Sequence, residues 1–265
     1  MIVRLQGGTG NQLFQYAFGR SVALARNEEL FFEKRGDMES GGSTFPYSLD
    51  LFNTIVKFAH PGQRGSEYYE ATAVTFDKGV YTAPRGTHFI GYWQTEKYFN
   101  HELVRTELSL RNPLSTPAQK IADEISATPN SAFLHVRRKD YLTPEVAPWM
   151  SNLTTDYYTR AIANIRDRLT DVTFFIFSDD PEWCRHNFSG LRVVEATRPH
   201  EALFLMSQCK HAVIANSSFS WWGAWFGGNH KGRLVIAPYR WFGNIQFQKY
   251  DPATADIIPD RWIKI

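Results

Sequence analysis

The sequence predicts an α/β fold with a parallel sheet in its C-terminal half, and three observations lead there. At the start of the chain an apolar strand, a glycine turn and an amphipathic helix follow one another. From about residue 130 strands and helices alternate regularly, the pattern of a parallel sheet covered on both faces. Finally, 43% of the 265 residues are hydrophobic, enough for a packed core in one large domain or two modest ones.

In order, the chain reads as strand Ile2–Leu5, a turn at Gly7-Gly8-Thr9-Gly10, and a helix from about Asn11 to Arg26 with Phe14, Ala17, Phe18 and Leu24 at helical spacing. Strand Leu30–Phe32 follows. Between Arg35 and His88 the pattern weakens into Gly, Ser and Pro clusters with short aromatic strands such as Val80–Thr82. The turn-rich stretch Asn112–Pro117 marks a domain boundary, giving an N-terminal domain 1–115 and a C-terminal domain 116–265. A helix starts there, with Thr116 as N-cap, Pro117 at the first helical position and Gln119 completing a capping box. Beyond it come strand Ala132–Val136, helix Asp156–Leu169, strand Thr173–Phe177, a helix from Pro181, strand Arg192–Val194, helix Pro199–Cys209, strand Ala212–Ala215, a helix after Ser220 and strand Leu234–Ala237.

Composition excludes several functions. The 29 basic and 27 acidic residues leave a net charge of +2, without the broad basic field that nucleic acid requires, so an anionic ligand must be handled locally. Cys184 and Cys209 are far apart, which gives no disulfide framework and no thiolate metal site, and both read as buried thiols. The N-terminus shows no secretory pattern and no apolar run approaches the ~20 residues that span a bilayer. The expected location is cytoplasmic, and an aromatic content of 15% is compatible with peripheral attachment to the inner face of the membrane.

Ligands of parallel sheets bind at the carboxyl ends of the strands. That edge is where Arg137 and Arg138 fall, with Asp140 just after them. Guanidinium forks grip phosphate oxygens, each charge-assisted bond contributing about 1.5–3 kcal/mol; the plainer alternative is a surface cluster paired with Asp140. A second constellation, Asn216-Ser217-Ser218-Phe219-Ser220, leads from a strand into a helix start followed by Trp221, Trp222 and Trp225. Free backbone N–H groups, the helix dipole and serine hydroxyls together form an anion site, although helix capping alone accounts for one of these residues. Asp180 before Pro181 is a good N-cap, which leaves Asp179 as the freer acid. The chain has no Asp-x-Asp triplet and no His cluster at ligand spacing, so neutralisation by arginines instead of a metal is the consistent mechanism.

Gly8-Thr9-Gly10 invites a dinucleotide-binding reading with Glu33 as the ribose acid, yet Leu13 stands where the third glycine belongs. The amides Asn11 and Gln12 suit sugar hydroxyls or a phosphate. Trp93, Gln94 and Glu96, in a segment mixing aromatics with polar groups, suit a sugar surface or simple packing.

Taken together, Gly7–Tyr16, Gly91–Phe99, His135–Tyr141, Phe177–Asp180, the run Leu205-Met206-Ser207 with Cys209-Lys210-His211, and Asn216–Trp225 resemble the alpha-1,2-fucosyltransferases of glycosyltransferase family 11 over most of the chain. The resemblance implies a GT-B-like pair of Rossmann-type domains, with GDP-fucose held by the C-terminal domain and the acceptor on the N-terminal side. It implies inverting transfer of L-fucose to the 2-hydroxyl of a terminal beta-galactoside, in bacterial polysaccharide synthesis, with no cofactor. By the same resemblance Arg137 grips the donor diphosphate, Arg138 supports it, His135 lies near the guanine, and Ser218, Phe219 and Ser220 form the phosphate-side loop. Two positions depart from the family: Lys139 stands where glycine is usual, and Ala202 where an acid is common, with Glu201 beside it as a replacement for reading the guanine. Gly8, Gly10, Asn11, Gln12, Trp93, Gln94 and Glu96 are the acceptor- or phosphate-side candidates; Asp140, Glu96 and Glu145 are the candidate bases. A nicotinamide-dependent oxidoreductase and a non-catalytic lectin are the competing classes.

Overall fold

The computed structural model describes residues 1–36, 45–63, 65–72, 74–195, 197–243, 250–253 and 255–265. The chain divides into two compact units, Met1–Asn112 with Gln248–Pro259, and Pro113–Phe247 with Asp260–Ile265. The expected second domain, 116–265, thus loses Gln248–Pro259 to the first unit. Asp256 ties that segment in place: its carboxylate accepts the Phe76 N–H at 2.7 Å and pairs with Lys97, while its own N–H donates to the Val74 carbonyl.

The first unit is built on a parallel sheet in the order β2-β1-β4-β3, comprising β1 (Ile2–Leu5), β2 (Phe31–Lys34), β3 (Glu67–Tyr69) and β4 (His88–Ile90). Gly7 takes a left-handed φ of +74°, which lets the chain leave β1 and enter helix α1 (Thr9–Arg26) directly. Helix α1 buries Leu13, Phe14, Ala17, Phe18 and Val22, the stripe expected of a helix on a sheet, and ends at Asn27 in the left-handed conformation. Phe18 stacks on Trp93 at 4.3 Å and meets the edges of Phe89 and Tyr98. The strand expected at Val80–Thr82 is instead a 3-10 turn, Lys78–Tyr81, because Asp77 accepts the Gly79 N–H and closes the backbone locally. Helix α2 (His101–Glu107) delivers the buried Glu107 to Tyr16 and Arg20.

The second unit carries a six-stranded parallel sheet in the order β10-β9-β8-β5-β6-β7. Its strands are β5 (Asn130–Val136), β6 (Val172–Ser178), β7 (Arg192–Val193), β8 (His211–Val213), β9 (Val235–Ala237) and β10 (Ile263–Lys264). The helices are α3 (Thr116–Ala127), α4 (Thr155–Arg166), α5 (Pro181–Asn187), α6 (Pro199–Gln208) and α7 (Ser218–Phe226). The start of α3 differs from expectation: Ser115 is the N-cap, Thr116 already helical, and no side chain caps the end. Gln119 turns along the helix to Asp123, and Glu201 takes the Ser115 N–H from outside at 2.7 Å. Helix α5 starts as read, with Asp180 accepting the Trp183 N–H. Helix α7 begins at Ser218, two residues before Ser220, because Ser217 already has the extended conformation of an N-cap. Trp221, Trp222 and Trp225 are buried, as are both free cysteines. No helix among the described residues is long and apolar enough to cross a membrane.

Helix α7 packs against α6 through Gly223, where an added Cβ would lie 2.9 Å from Met206 Cβ. Neither backbone yields there without a helix shift. Gly223→Ala is expected to lower the unfolding free energy by about 1–3 kcal/mol through overpacking, read from chemical denaturation.

Candidate active site

Strand register assembles the site. The last pair of the β5–β6 ladder is Val136 opposite Ser178, so Arg137, Arg138 and Lys139 leave the sheet beside Asp179 and Asp180. On the other side of β5, Leu134 is opposite Val213, which brings the exit of β8 alongside the same edge. The two segments read separately from the sequence are therefore neighbours.

Asp179 organises this edge. Its Oδ1 accepts the Arg138 N–H at 3.0 Å and its Oδ2 the Lys139 N–H at 3.2 Å, and the Arg137 guanidinium lies 3.3 Å from Oδ2. Asp179, expected to be the freer acid, clamps the loop through these contacts. Arg137 donates to Asp140 Oδ2 at 2.7 Å and lies over the Tyr141 ring, with about a third of its side chain exposed (31%). Arg138 is locked further back, bonded to Asp180 at 3.2 Å and stacked 3.9 Å over Trp183. It is a buttress. Asp140 Oδ1 is buried with no hydrogen-bond partner. Lys139 adopts φ −45° and ψ −66°, an ordinary right-handed conformation, so the loop does not require glycine there.

Tyr141 links the two segments, donating its hydroxyl to the Asn216 carbonyl at 2.9 Å and sharing a side-chain hydrogen bond with Ser217. Nothing in the sequence pattern singles out this tyrosine as the link. Asn216 uses its side-chain NH2 internally, donating to the Ser151 and Trp241 carbonyls at 2.9 and 2.8 Å. Ser220 has no exposed surface and turns its hydroxyl back to the Ala215 and Ser217 carbonyls. Both side chains make these internal bonds because a buried polar group must find partners. Ser218 and Phe219 remain half-exposed at the start of α7, where the first backbone N–H groups of a helix have no internal acceptor. His135, the last residue but one of β5, faces Phe219 with ring centroids 5.9 Å apart. Burial, reinforced by Arg137, pushes its pKa down to about 3, so it stays neutral, and its Nδ1 is buried without a partner.

Glu201 is likewise engaged by backbone N–H groups. Its carboxylate accepts the Ser115 and Arg198 N–H groups, at 2.7 and 3.2 Å, as a strap between the starts of α3 and α6. Glu145 is exposed.

In the first unit, Gln12 is buried and fully used: its amide donates to the Gly7 and Pro46 carbonyls and its oxygen accepts from Ser48. Gln15 does the same work between strands, accepting from Gln6 and donating to Gly91. Trp93 is core, stacked on Phe18 without exposed surface. The side chains of Gln12 and Trp93 are thus both turned inward in this structure. Asn11 accepts the Gln94 amide at 2.7 Å, joining the glycine turn to the segment after β4. Gly8 is the partly exposed N-cap of α1, Gly10 is buried in its first turn, and Glu96 opens the 3-10 turn Glu96–Tyr98. Glu33, the ribose acid of the dinucleotide reading, is paired with Arg4 at 2.9 Å.

The clamp has a measurable consequence. Asp179→Ala removes the acceptor of two backbone N–H groups at once, and is expected to cost about 1–3 kcal/mol of stability in denaturant melts. Asp179→Asn, which keeps one acceptor oxygen, is expected to cost less.

Comparison with known proteins places these features. The profile of glycosyl transferase family 11 matches residues 57–265. An alpha-1,2-colitosyltransferase from Escherichia coli is 32% identical over 294 residues, covering 100% of this chain and 98% of that protein. The mouse galactoside 2-alpha-L-fucosyltransferase Sec1 is 26% identical, covering 85% of this chain and 64% of its own length. Among solved structures, the NodZ alpha-1,6-fucosyltransferase of Bradyrhizobium, in a crystal soaked with GDP-fucose, superposes with a TM-score of 0.51 at 14% identity, over 84% of this chain and 90% of that one. The parallel sheets and that likeness make the fold GT-B, and the chain belongs to glycosyltransferase family 11.

Proposed function

We propose that this glycosyltransferase moves L-fucose from GDP-beta-L-fucose to the 2-hydroxyl of a terminal beta-galactoside, inverting the anomeric centre and without a metal. The observation that carries the reading is Arg137, held at the carboxyl end of β5 and joined through Tyr141 to the start of α7. A diphosphate at that edge meets a guanidinium and the free N–H groups of Ser218 and Phe219 together. His135, neutral and partly unpaired, and Phe219 offer an amide-like partner and an aromatic edge for a base. The second unit is on this reading the donor-binding domain and the first the acceptor side.

Inversion requires the acceptor hydroxyl to attack opposite the leaving GDP, through an oxocarbenium-like state. Negative charge then grows on the beta-phosphate. Donors aimed there bind the transition state more tightly than the ground state, which is the condition for acceleration. A glycan acceptor with Asn11 and Gln94 among its contacts fits the polar pair they form after β1 and β4.

A colitosyl donor is the second reading, favoured by the full-length similarity to an alpha-1,2-colitosyltransferase. Incubation with each nucleotide sugar over a panel of beta-galactosides, with and without chelator, separates the two. Fucoside formation at an unchanged rate in chelator, with an alpha-1,2 linkage by NMR, is the expected result; transfer of colitose alone overturns the donor assignment. In the same assay Arg137→Ala is expected to lower kcat by about 100-fold or more at saturating donor while the fold is retained. Near-normal turnover would remove Arg137 from the site.

A further inference from the structure

The carboxyl edge of the first sheet carries a cation that no carboxylate among the described residues neutralises. Lys34 ends β2 opposite Leu5, the last residue of β1, so it stands beside the glycine turn that leads into α1. Its ammonium lies 4.7 Å from the ring centre of Tyr47 and 4.6 Å from that of Phe58, and the two rings meet edge to face at 5.7 Å. Register accounts for part of this: Phe58 pairs in parallel with Phe32, two residues before Lys34, and side chains two apart on a strand share a face. Lys57 and Lys97 of the same unit each have a carboxylate, on Glu29 and Asp256, whereas Lys34 has only rings.

Exposed aromatic surface accompanies the charge. Phe58 is 41% exposed and Phe45 40%. The Phe45 ring rests on the glycine turn, where an added Cβ at Gly8 would lie 3.4 Å from its edge. Its segment is fixed, because the Pro46 carbonyl accepts the Gln12 amide at 2.9 Å and the Ser48 N–H donates to the Gln12 oxygen at 3.0 Å. Asp50 and Arg111 act on the Tyr47 hydroxyl with opposite sign and offset one another there.

A single exposed ring is ordinary on a protein surface. Two such rings and an unpaired cation, at the strand ends where parallel sheets take their ligands, ask for an occupant. An aromatic ring packs against the C–H face of a pyranose. An ammonium with three N–H donors takes oxygen, and charged oxygen most strongly. A neutral sugar leaves the charge unmet, and a bare anion leaves the rings uncovered.

We infer that the Lys34 edge of the first unit binds an acidic sugar of the acceptor glycan, with the pyranose against the exposed rings of Phe45 and Phe58 and its carboxylate or phosphate on the Lys34 ammonium. The inference rests on the transferase reading above, and every residue it uses lies in the first unit.

The test measures binding to the full chain without donor, by ligand-observed NMR titration. Three probes share one terminal beta-galactoside: lactose, lactose 1-phosphate and beta-galactosyl glucuronic acid. At least one acidic probe is expected to bind about tenfold or more tightly than lactose at low ionic strength, and which one does separates a phosphate from a carboxylate ligand. The preference is expected to shrink as salt is raised. Lys34→Met is expected to bring the acidic probes to the level of lactose, and Lys34→Arg to keep the preference. Phe45→Ala is expected to weaken all three probes by about tenfold. GDP affinity is expected to stay within about threefold in each variant. Equal binding of all three probes by the wild type overturns the inference, as does an acid preference that survives in Lys34→Met. Loss of GDP affinity in that variant overturns it too, by moving Lys34 to the donor. If Lys34→Met does not fold, Lys34→Gln takes its place with the same expectations. Acid-selective binding by a chain that transfers neither fucose nor colitose leaves the subsite standing and overturns the parent reading.

Discussion

The loop that carries Arg137 and Arg138 is fixed by Asp179. A parallel ladder ends at Val136, and the N–H groups of Arg138 and Lys139 beyond it have no strand left to pair with. Backbone donors in that position must be satisfied. The register supplies the acceptor, because the residue after Ser178 on the adjacent strand is an aspartate whose two oxygens each take one of them. With the backbone fixed, Arg137 is directed between Asp179 and Asp140, and Arg138 is turned onto Trp183. One carboxylate thus sets both the path of the loop and the direction of its charges.

That arrangement changes how the arginines are understood. Two guanidinium groups face three carboxylates, those of Asp140, Asp179 and Asp180, so the edge is not a positive field awaiting an anion. On the proposed reading, a phosphate replaces carboxylate oxygens around a guanidinium that is already partly desolvated and oriented. Binding then costs little reorganisation of Arg137, and the free N–H groups of α7 supply the net attraction that a neutralised cluster lacks. The near balance of 29 basic and 27 acidic residues across the chain is repeated on the scale of the site.

Much of the fold was legible because a parallel sheet with covering helices repeats strand and helix in a regular order. From β5 to β9 each strand was read within a few residues of its place. The first sheet was harder: β3 and β4 have three residues each, too few to show a period, and the turn at Lys78–Tyr81 follows from one Asp77 hydrogen bond that composition does not reveal. At the site, the position of Arg137 and Arg138 at a strand end was readable, as was the Asp180 cap. The roles of Asp179, Glu201, Gln12, Asn216 and Ser220 were not, since a polar residue near a strand end looks the same in sequence whether it turns toward a ligand or back onto the chain. Only the register and the partner distances separate the two.

The separation leaves a short set of groups. Gln12, Asn216, Ser220 and Glu201 make internal hydrogen bonds and Trp93 packs in the core, which leaves a short set of groups in the predicted site with hydrogen-bonding capacity to spare. In the second unit they include the Arg137 guanidinium, Asp140 Oδ1, His135 Nδ1, Ser218, and the N–H groups at the start of α7. In the first they include the polar pair Asn11 and Gln94. These internal bonds are not incidental, because Gln12 holds the glycine turn to Pro46 and Ser48, Gln15 holds Gln6 to Gly91 after β4, and Asn216 holds the β8 exit to residues 151 and 241. A family motif here is mostly the machinery that fixes an edge of sheet, with only a few atoms per motif left to meet a ligand. Substitutions among the scaffold residues therefore act on stability and on every substrate alike, whereas discrimination between one sugar nucleotide and another belongs to the few atoms that still have a hydrogen bond to give or accept.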